Sequence, residues 1–175
     1  MRKLLMTSLL VGGAALVAAQ APAQAPAPAA PAAVPEQMPF DIPYGPSITL
    51  ERAIQAAAAA AAEAKKHNWK LAISVVDPNG DLVFFQKMDG TQVASVAISQ
   101  GKARTAARYR RETRTFFNAM ETGHPYIATL DPTLVASPGG FPLMDGGKLI
   151  GAIGCSGGTG DQDAVACKAG SAAFM

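Results

Sequence analysis

The stretch GAIGCSGGTGDQD, residues 151–163, decides how the C-terminal third of this chain folds. An apolar run leads into it, three glycines lie in its second half, and acidic residues close it. This pattern predicts a strand that turns tightly into a helix, because glycine allows sharp backbone turns and acidic side chains stabilise helix N-termini. We expect Asp161 or Asp163 to cap that helix.

The same stretch contains G-x-S-x-G at residues 154–158, the pattern of the nucleophile elbow in serine hydrolases, with Ser156 as the serine. That chemistry needs a histidine base, and in the α/β-hydrolases the histidine follows the serine. Here His67 and His124 both precede Ser156, in a domain about half the usual size. A serine hydrolase is therefore the least favoured of the functions considered.

Periodic segments elsewhere predict an α+β fold in which helices pack on an antiparallel sheet. Hairpin turns are expected at residues 77–80 (Asp-Pro-Asn-Gly) and 145–147 (Asp-Gly-Gly), so consecutive strands pair without crossover helices. Seven consecutive alanines at 56–62 allow the first helix to lie very close to a sheet or to a partner helix. Helices are predicted at 50–67, 93–109, 113–121 and 161–174, and strands at 71–76, 81–88, 134–136, 141–144 and 148–153.

Residues 1–23 have the layout of a cleavable signal peptide, with a basic start, an apolar centre and small residues before the cleavage site. Residues 24–46 are rich in alanine and proline and predict a disordered linker. Residues 47–175 are expected to form one domain. We expect a periplasmic or secreted protein with no stable membrane insertion.

The charge balance offers no support for nucleic acid as a partner. The whole chain has 15 Lys+Arg and 13 Asp+Glu, but Arg2 and Lys3 leave with the signal peptide, which brings the basic residues to 13 and the balance to zero. Overall charge therefore gives no reason to expect nucleic-acid binding.

Two cysteines remain in an exported chain, where disulfides persist. Cys155 is predicted on a strand and Cys167 on the following helix, so a disulfide would join helix to sheet. Two buried thiols are an equally good interpretation. No Cys/His spacing typical of a structural zinc site is present.

A basic cluster provides the main candidate for ligand binding. Arg104, Arg108 and Arg111 fall at i, i+4 and i+7 and so share one helical stripe. The stripe fits a solvated helix face, ion pairs between subunits, or a site for carboxylates such as haem propionates, which arginine binds in bidentate fashion. His67 and His124 are the candidate ligands for haem iron. The full cluster consists of Lys102, Arg104, Arg108, Arg110, Arg111 and Arg114, opposed by Glu112.

Several ordered motifs add a family resemblance. They are the V-V-D-x-x-G of residues 75–80, the M-D-G of 88–90, Arg110-Arg111 with Thr113, Gly139-Gly140, and the G-A-I-G-x-S-G-G that begins at Gly151. With these motifs the chain resembles the GlcG/HbpS family of haem-binding and haem-degrading-type proteins, which is related to the C-terminal domain of PduO. Many members have Gly-Gly-His where this chain has Asn79-Gly80-Asp81.

The resemblance implies a profilin-like sandwich with a central five-stranded antiparallel sheet, a homo-oligomer, and binding of a small anionic ligand, most of all haem. It also implies an alternative, an enzyme of haem degradation or small-acid metabolism, and it does not single out catalytic residues. The ligand-binding residues predicted from the basic cluster and the motifs are Arg104, Arg108, Arg110, Arg111, Thr113, Gly139, Gly140, Ser156, Gly157 and Gly158.

Overall fold

A computed structural model describes residues 34, 36–38 and 40–173. The predicted signal peptide and most of the predicted linker lie outside the described residues. In the part of the chain that is described, no helix combines the length and the apolar character needed to cross a membrane.

Four α-helices and a four-stranded sheet make up the described domain, with strand order β2-β1-β4-β3. All three strand pairs are antiparallel, which confirms the predicted α+β class and the two predicted hairpins. The elements are α1 (Leu50–Lys66), β1 (Ala72–Val76), β2 (Leu82–Lys87), α2 (Ser95–Tyr109), α3 (Arg114–Glu121), a 3-10 helix (Pro125–Thr129), β3 (Gly140–Asp145), β4 (Lys148–Ser156) and α4 (Gly160–Ala172).

The prediction of five strands is wrong for the described residues, because residues 134–136 form no strand. The backbone N–H of Val135 donates instead to Thr105 Oγ1 at 2.9 Å, so this segment bonds to the side of α2. The tertiary contact with α2 has replaced the strand pairing that the apolar pattern predicted. The profilin-like sandwich arrangement stays a prediction.

A short segment before α1 lies beside β4. Gly45 N–H donates to Leu149 O at 2.7 Å and Ile48 N–H donates to Ile150 O at 2.8 Å, with a parallel bridge between Tyr44 and Leu149. The domain prediction placed residues 24–46 in the linker, and the structure places Tyr44 and Gly45 of that segment against the sheet.

The helix ends follow local sequence signals, with one exception. Thr49 is the N-cap of α1, and its side chain accepts a hydrogen bond from Arg52 N–H. Asn68, just past the C-terminal end of α1, has a φ of 57°, as expected for a left-handed residue at the end of a helix. The predicted cap of α4 is wrong. Thr159 caps that helix in a capping box with Gln162, so Asp161 and Asp163 do not serve as the cap.

Both faces of the sheet are covered. The alanine-rich face of α1 and the inner face of α4 share one core with Ile73, Val75 and Ile153. On the other face α2 packs against Val76 and Ala152 through three alanines. The close approach of α2 requires glycine at 154, because a Cβ there would overlap the backbone of Ser99.

Cys155 and Cys167 form a disulfide that joins β4 to α4, with 5.6 Å between their Cα atoms. Both cysteines are fully buried. Of the two interpretations left open by the sequence, the structure therefore has the disulfide. It ties the end of β4, one of the two inner strands, to the helix that follows the glycine-rich turn.

Candidate functional site

The glycine-rich motifs meet at a buried ion pair. Lys102 Nζ on α2 donates to Asp163 Oδ2 on α4 at 2.8 Å, and the side chains are 1% and 3% exposed. The second carboxylate oxygen of Asp163 accepts from Gly158 N–H at 2.9 Å. We call Lys102, Asp163 and the glycines around them the buried junction.

Gly139 and Gly140 leave room for this pair. A Cβ on Gly139 would lie 2.8 Å from Asp163 Cβ and 3.2 Å from Lys102 Nζ, and one on Gly140 would lie 2.5 Å from Lys102 O. Thr113 holds the strand start in place, since its Oγ1 accepts from Gly140 N–H at 2.9 Å and its N–H donates to Gly140 O at 3.1 Å. The predicted ligand-binding residues Thr113, Gly139, Gly140 and Gly158 are therefore packed around the ion pair.

Electrostatics support a structural role for the buried junction. Burial lowers the pKa of the Lys102 ammonium group, and the charge and hydrogen bond of Asp163 oppose that shift. Both charges have their partners inside the domain, and neither residue lines the clefts described below. The junction joins α2, α4 and the turns at 139–140 and 157–158.

Ser156 also lies inside the fold. It is 3% exposed, and its hydroxyl donates to Ser95 Oγ at 3.2 Å. Neither histidine is a partner of this hydroxyl: His67 contacts Glu63 and Trp69. The structure therefore contradicts the use of Ser156 as a hydrolase nucleophile, because it is buried and without a base among the described residues. Gly157 beside it packs against the backbone of Lys70, where a Cβ would overlap.

Two arginines of the predicted stripe hold the β1–β2 turn. Arg104 Nε–H donates to Gly80 O at 3.4 Å, and Arg108 Nε–H donates to Asn79 O at 2.9 Å. These bonds bring α2 to the hairpin and account for the charge pattern without a ligand. Of the remaining donors of Arg108, Nη1 lies 3.5 Å from Thr133 Oγ1 and 3.9 Å from Asp131 Oδ2.

The other arginines of the cluster bind neighbouring parts of the chain. Arg110 Nη1 donates to Ile42 O at 2.8 Å, and the Arg111 guanidinium lies 3.3 Å from the centre of the Phe40 ring. Burial, and then the charge of Arg110, lower the pKa of Arg111. Arg110 and Arg111 thus fasten the segment before α1 to the end of α2.

One open space is a cleft of about 530 Å³ between that segment and the β1–β2 turn. Its polar lining comes from Tyr44, Ser47, Asp77, Asn79 and Arg108. We call it the arginine cleft. Of the residues predicted to bind a ligand, Arg108 lines it.

A second cleft, of about 400 Å³, lies between the end of α1 and the end of β2. We call it the tryptophan cleft. His67 stands beside it, stacked on Trp69 with 4.3 Å between ring centres and an angle of 19° between ring planes. The cleft is lined by Lys65, Asn68, Trp69, Lys70, Gln86, Lys87, Met88 and Asp89, which include two residues of the M-D-G motif.

Glu63 orients His67. His67 Nε2 is 3.3 Å from Glu63 Oε1, and the other carboxylate oxygen of Glu63 accepts from Lys66 Nζ at 2.6 Å. The bond from Lys66 is the main cause of a lowered pKa of Glu63, with a further contribution from the bond to His67. The carboxylate therefore stays ionised, and it holds a ring whose face is already packed on Trp69.

The other predicted iron ligand, His124, has a different setting. It precedes the 3-10 helix, is exposed, and lies 6.1 Å from Tyr126 between ring centres. It lines neither the arginine cleft nor the tryptophan cleft. Among the described residues, no group of three or more His, Cys, Asp or Glu side chains is arranged to hold a metal ion.

Comparison with known proteins agrees with the motifs. The family model described as "Haem degrading protein HbpS-like" matches residues 48–172. Protein GlcG of Escherichia coli K12 is 40% identical over 99 residues, which are 57% of this chain and 73% of GlcG.

Solved structures share the fold. A double mutant of HbpS from Streptomyces reticuli superimposes with a TM-score of 0.69 at 28% identity, over 83% of this chain and 99% of that one. A PduOC complex with haem gives a TM-score of 0.67 at 25% identity, over 73% of this chain and 94% of that one. Because the family model spans well over half of the residues, the chain belongs to the HbpS-like family.

Proposed function

We propose that this protein binds haem in the tryptophan cleft. The observation that carries the proposal is the stacked His67–Trp69 pair beside a cleft with three lysines, in a chain whose relatives include a domain crystallised with haem. The resemblance alone gives the ligand class. The tryptophan cleft supports the position that we propose for the ligand on this chain.

The residues of the cleft fit the chemical demands of haem. The macrocycle needs flat apolar contacts, which Trp69 and the thioether of Met88 offer, and its two propionates need cations at the rim. Lys65, Lys70 and Lys87 are exposed and line the same space. In this proposal the lysines, rather than the arginine stripe, hold the propionates.

His67 would supply the axial ligand. When its Nε2–H donates to Glu63, the lone pair of Nδ1 is left for a metal, and a carboxylate partner of this kind raises the basicity of a ligating imidazole. The stack on Trp69 limits rotation of the ring. Bound haem would supply an iron centre able to change oxidation state or take a further ligand.

Titration of the purified mature chain with hemin tests the proposal. The expected result is a saturable shift of the Soret band, weakened at least tenfold or moved to another wavelength in His67→Ala. The matched control is His124→Ala, which removes the other imidazole from a position outside the cleft and should leave the titration unchanged. A wild-type chain that gives no saturable shift would rule out the proposed function.

A second candidate function is haem degradation, which the description of the matching family model favours. It predicts loss of the Soret band when the hemin complex is given dioxygen and ascorbate. With hemin held constant, the rate of loss should reach a plateau as the protein concentration is raised. If the spectrum of the complex is stable under these conditions, the protein binds haem without degrading it.

We also propose that the protein is exported and forms a homo-oligomer. Export is supported by the signal-peptide pattern and by the buried Cys155–Cys167 disulfide, since such bonds form in oxidising compartments. Fractionation of expressing cells tests the first statement, and light scattering on the purified mature chain tests the second. Cytoplasmic retention or a monomeric mass would overturn the respective statement.

A further inference from the structure

We infer that the arginine cleft is a second ligand site, for a small zwitterion that carries a carboxylate and an ammonium group, as a free amino acid does. This inference is independent of haem binding, because the arginine cleft and the tryptophan cleft share no lining residue.

One wall of the arginine cleft is formed by the segment before α1, and it is already held in place. The Tyr44 hydroxyl donates to Arg108 O at 2.8 Å. On the other side of the segment, Leu149 N–H donates to Pro43 O at 2.9 Å and Gly45 N–H donates to Leu149 O at 2.7 Å. A ligand would therefore meet a preformed wall and would not have to order this segment on binding.

The opposite wall is the β1–β2 turn, which is stabilised by hydrogen bonds within the turn and by one from α2. Asp77 Oδ1 accepts from Asn79 N–H at 2.9 Å and from Asp81 N–H at 3.0 Å. Arg108 Nε–H binds Asn79 O from the helix side. These bonds occupy one oxygen of the carboxylate and one nitrogen of the guanidinium.

The remaining polar atoms of these two residues have weak partners or none within the described part of the chain. In the described part of the chain, neither Asp77 Oδ2 nor Arg108 Nη2 has a hydrogen-bond partner, and Arg108 Nη1 has only weak ones, Thr133 Oγ1 at 3.5 Å and Asp131 Oδ2 at 3.9 Å. A cation and an anion thus line one cleft without neutralising each other through a direct ion pair.

The ligand class follows from these two groups. A guanidinium binds a carboxylate through paired N–H donors, and a carboxylate attracts an ammonium group. A ligand with only a negative charge would be attracted by Arg108 and repelled by Asp77. A ligand with only a positive charge would be attracted by Asp77 and repelled by Arg108. The exposed ring of Tyr44 adds an aromatic surface for the ligand's side chain, in a volume of about 530 Å³.

Calorimetric titration of the mature chain with each of the twenty amino acids tests the inference, with propionate and butylamine as ligands that carry one charge only. The expected result is saturable binding of at least one amino acid, at least tenfold tighter than either single-charge compound. Absence of amino-acid binding would overturn the inference, and so would equal binding of propionate.

Variants assign the binding to the arginine cleft. Arg108→Gln removes the cation and Asp77→Asn keeps the turn-capping oxygen while removing the anion, so each should weaken binding at least tenfold. Arg104→Gln is the matched control, because Arg104 holds the same turn through Gly80 O but does not line the cleft. Equal losses in Arg104→Gln and Arg108→Gln would show that only the turn matters and would overturn the inference.

Two further variants keep the result interpretable. If Arg108→Gln does not fold, Arg108→Lys, which retains the charge but not the guanidinium donors, is expected to fold and to bind more weakly than wild type. His67→Ala should bind amino acids as wild type does, so that failure of haem binding and failure of this site are separate results.

Discussion

The buried junction and the tryptophan cleft use the charged groups of this chain in opposite ways. In the junction, Lys102 and Asp163 are withdrawn from water and bind each other. In the cleft, Lys65 and Lys70 are exposed beside an open space. The glycine pair 139–140 and the turn 157–158 surround the ion pair of the buried junction. The difference teaches that these motifs mark where the fold is held together, whereas a ligand is expected where charge faces solvent.

The largest effect is expected from breaking the ion pair of the junction. Lys102→Met should lower the free energy of unfolding by about 3–5 kcal/mol, because Asp163 is left as a buried charge without its partner. Urea unfolding followed by circular dichroism measures the loss.

The double variant Lys102→Met with Asp163→Asn keeps an acceptor for Gly158 N–H and removes the buried charge. It should recover much of the stability lost in the single variant. If the double variant were no more stable than the single one, charge burial would not be the cause.

The next largest effect concerns the disulfide. Replacing both Cys155 and Cys167 by alanine should lower the free energy of unfolding by about 2–4 kcal/mol, mainly because the unfolded chain regains the freedom of the closed loop. Dithiothreitol should destabilise the wild type in urea and leave the double variant unchanged. Equal unfolding midpoints for the oxidised wild type and the variant would contradict this expectation.

A smaller loss is expected where α2 crosses the sheet. Gly154→Ala should cost about 1–3 kcal/mol, since the added methyl group overlaps the backbone at Ser99 and forces α2 away. Gly146→Asn is the control, because no atom lies near its Cβ position and its φ of 53° suits asparagine, so it should stay within about 0.5 kcal/mol of wild type. Thermal unfolding compares the two.

The smallest effect is expected at Asp131, whose side chain is partly exposed. The hydrogen bond from Thr133 N–H lowers the pKa of Asp131 below 3.8, so the folded state binds fewer protons than the unfolded state in the pH range just below that value. The contribution to stability is therefore present above pH 3.8 and is lost as pH falls through the lowered pKa.

Asp131→Asn should be slightly less stable than wild type near neutral pH and should converge with it at acid pH. Chemical unfolding at a series of pH values measures the difference. A constant difference between the two proteins at all pH values would show that the carboxylate's titration is not involved.

Local patterns predicted most of the secondary structure. The first helix was predicted at residues 50–67 and is α1 (Leu50–Lys66), with Thr49 as its N-cap. Capping and turn preferences act over a few residues, so they can be inferred from neighbouring sequence. Residues 134–136 departed from the prediction because a bond from Val135 to α2, thirty positions away, took the place of strand pairing.

The contacts made by the predicted site residues were less predictable from the sequence. The charge pattern indicated the arginine stripe, but Arg104 and Arg108 bind carbonyl groups of a turn that is far from them in the sequence. His67 was among the two candidate iron ligands, and its stack with Trp69 two positions on is a local signal that could have favoured it. The sequence indicates Lys102 only as a member of the basic cluster and Asp163 only as a helix cap, so their pairing is not predicted.

By itself the sequence determined the family, the α+β class and most helix and strand positions, because these depend on motifs, periodicity and turn residues that are close together along the chain. Only the tertiary structure decided that Lys102 and Asp163, 61 positions apart, form one buried pair and that Cys155 and Cys167 are joined. Which charges are paired and which face a cleft depends on long-range packing, and that packing sets burial and therefore the energy of each charge.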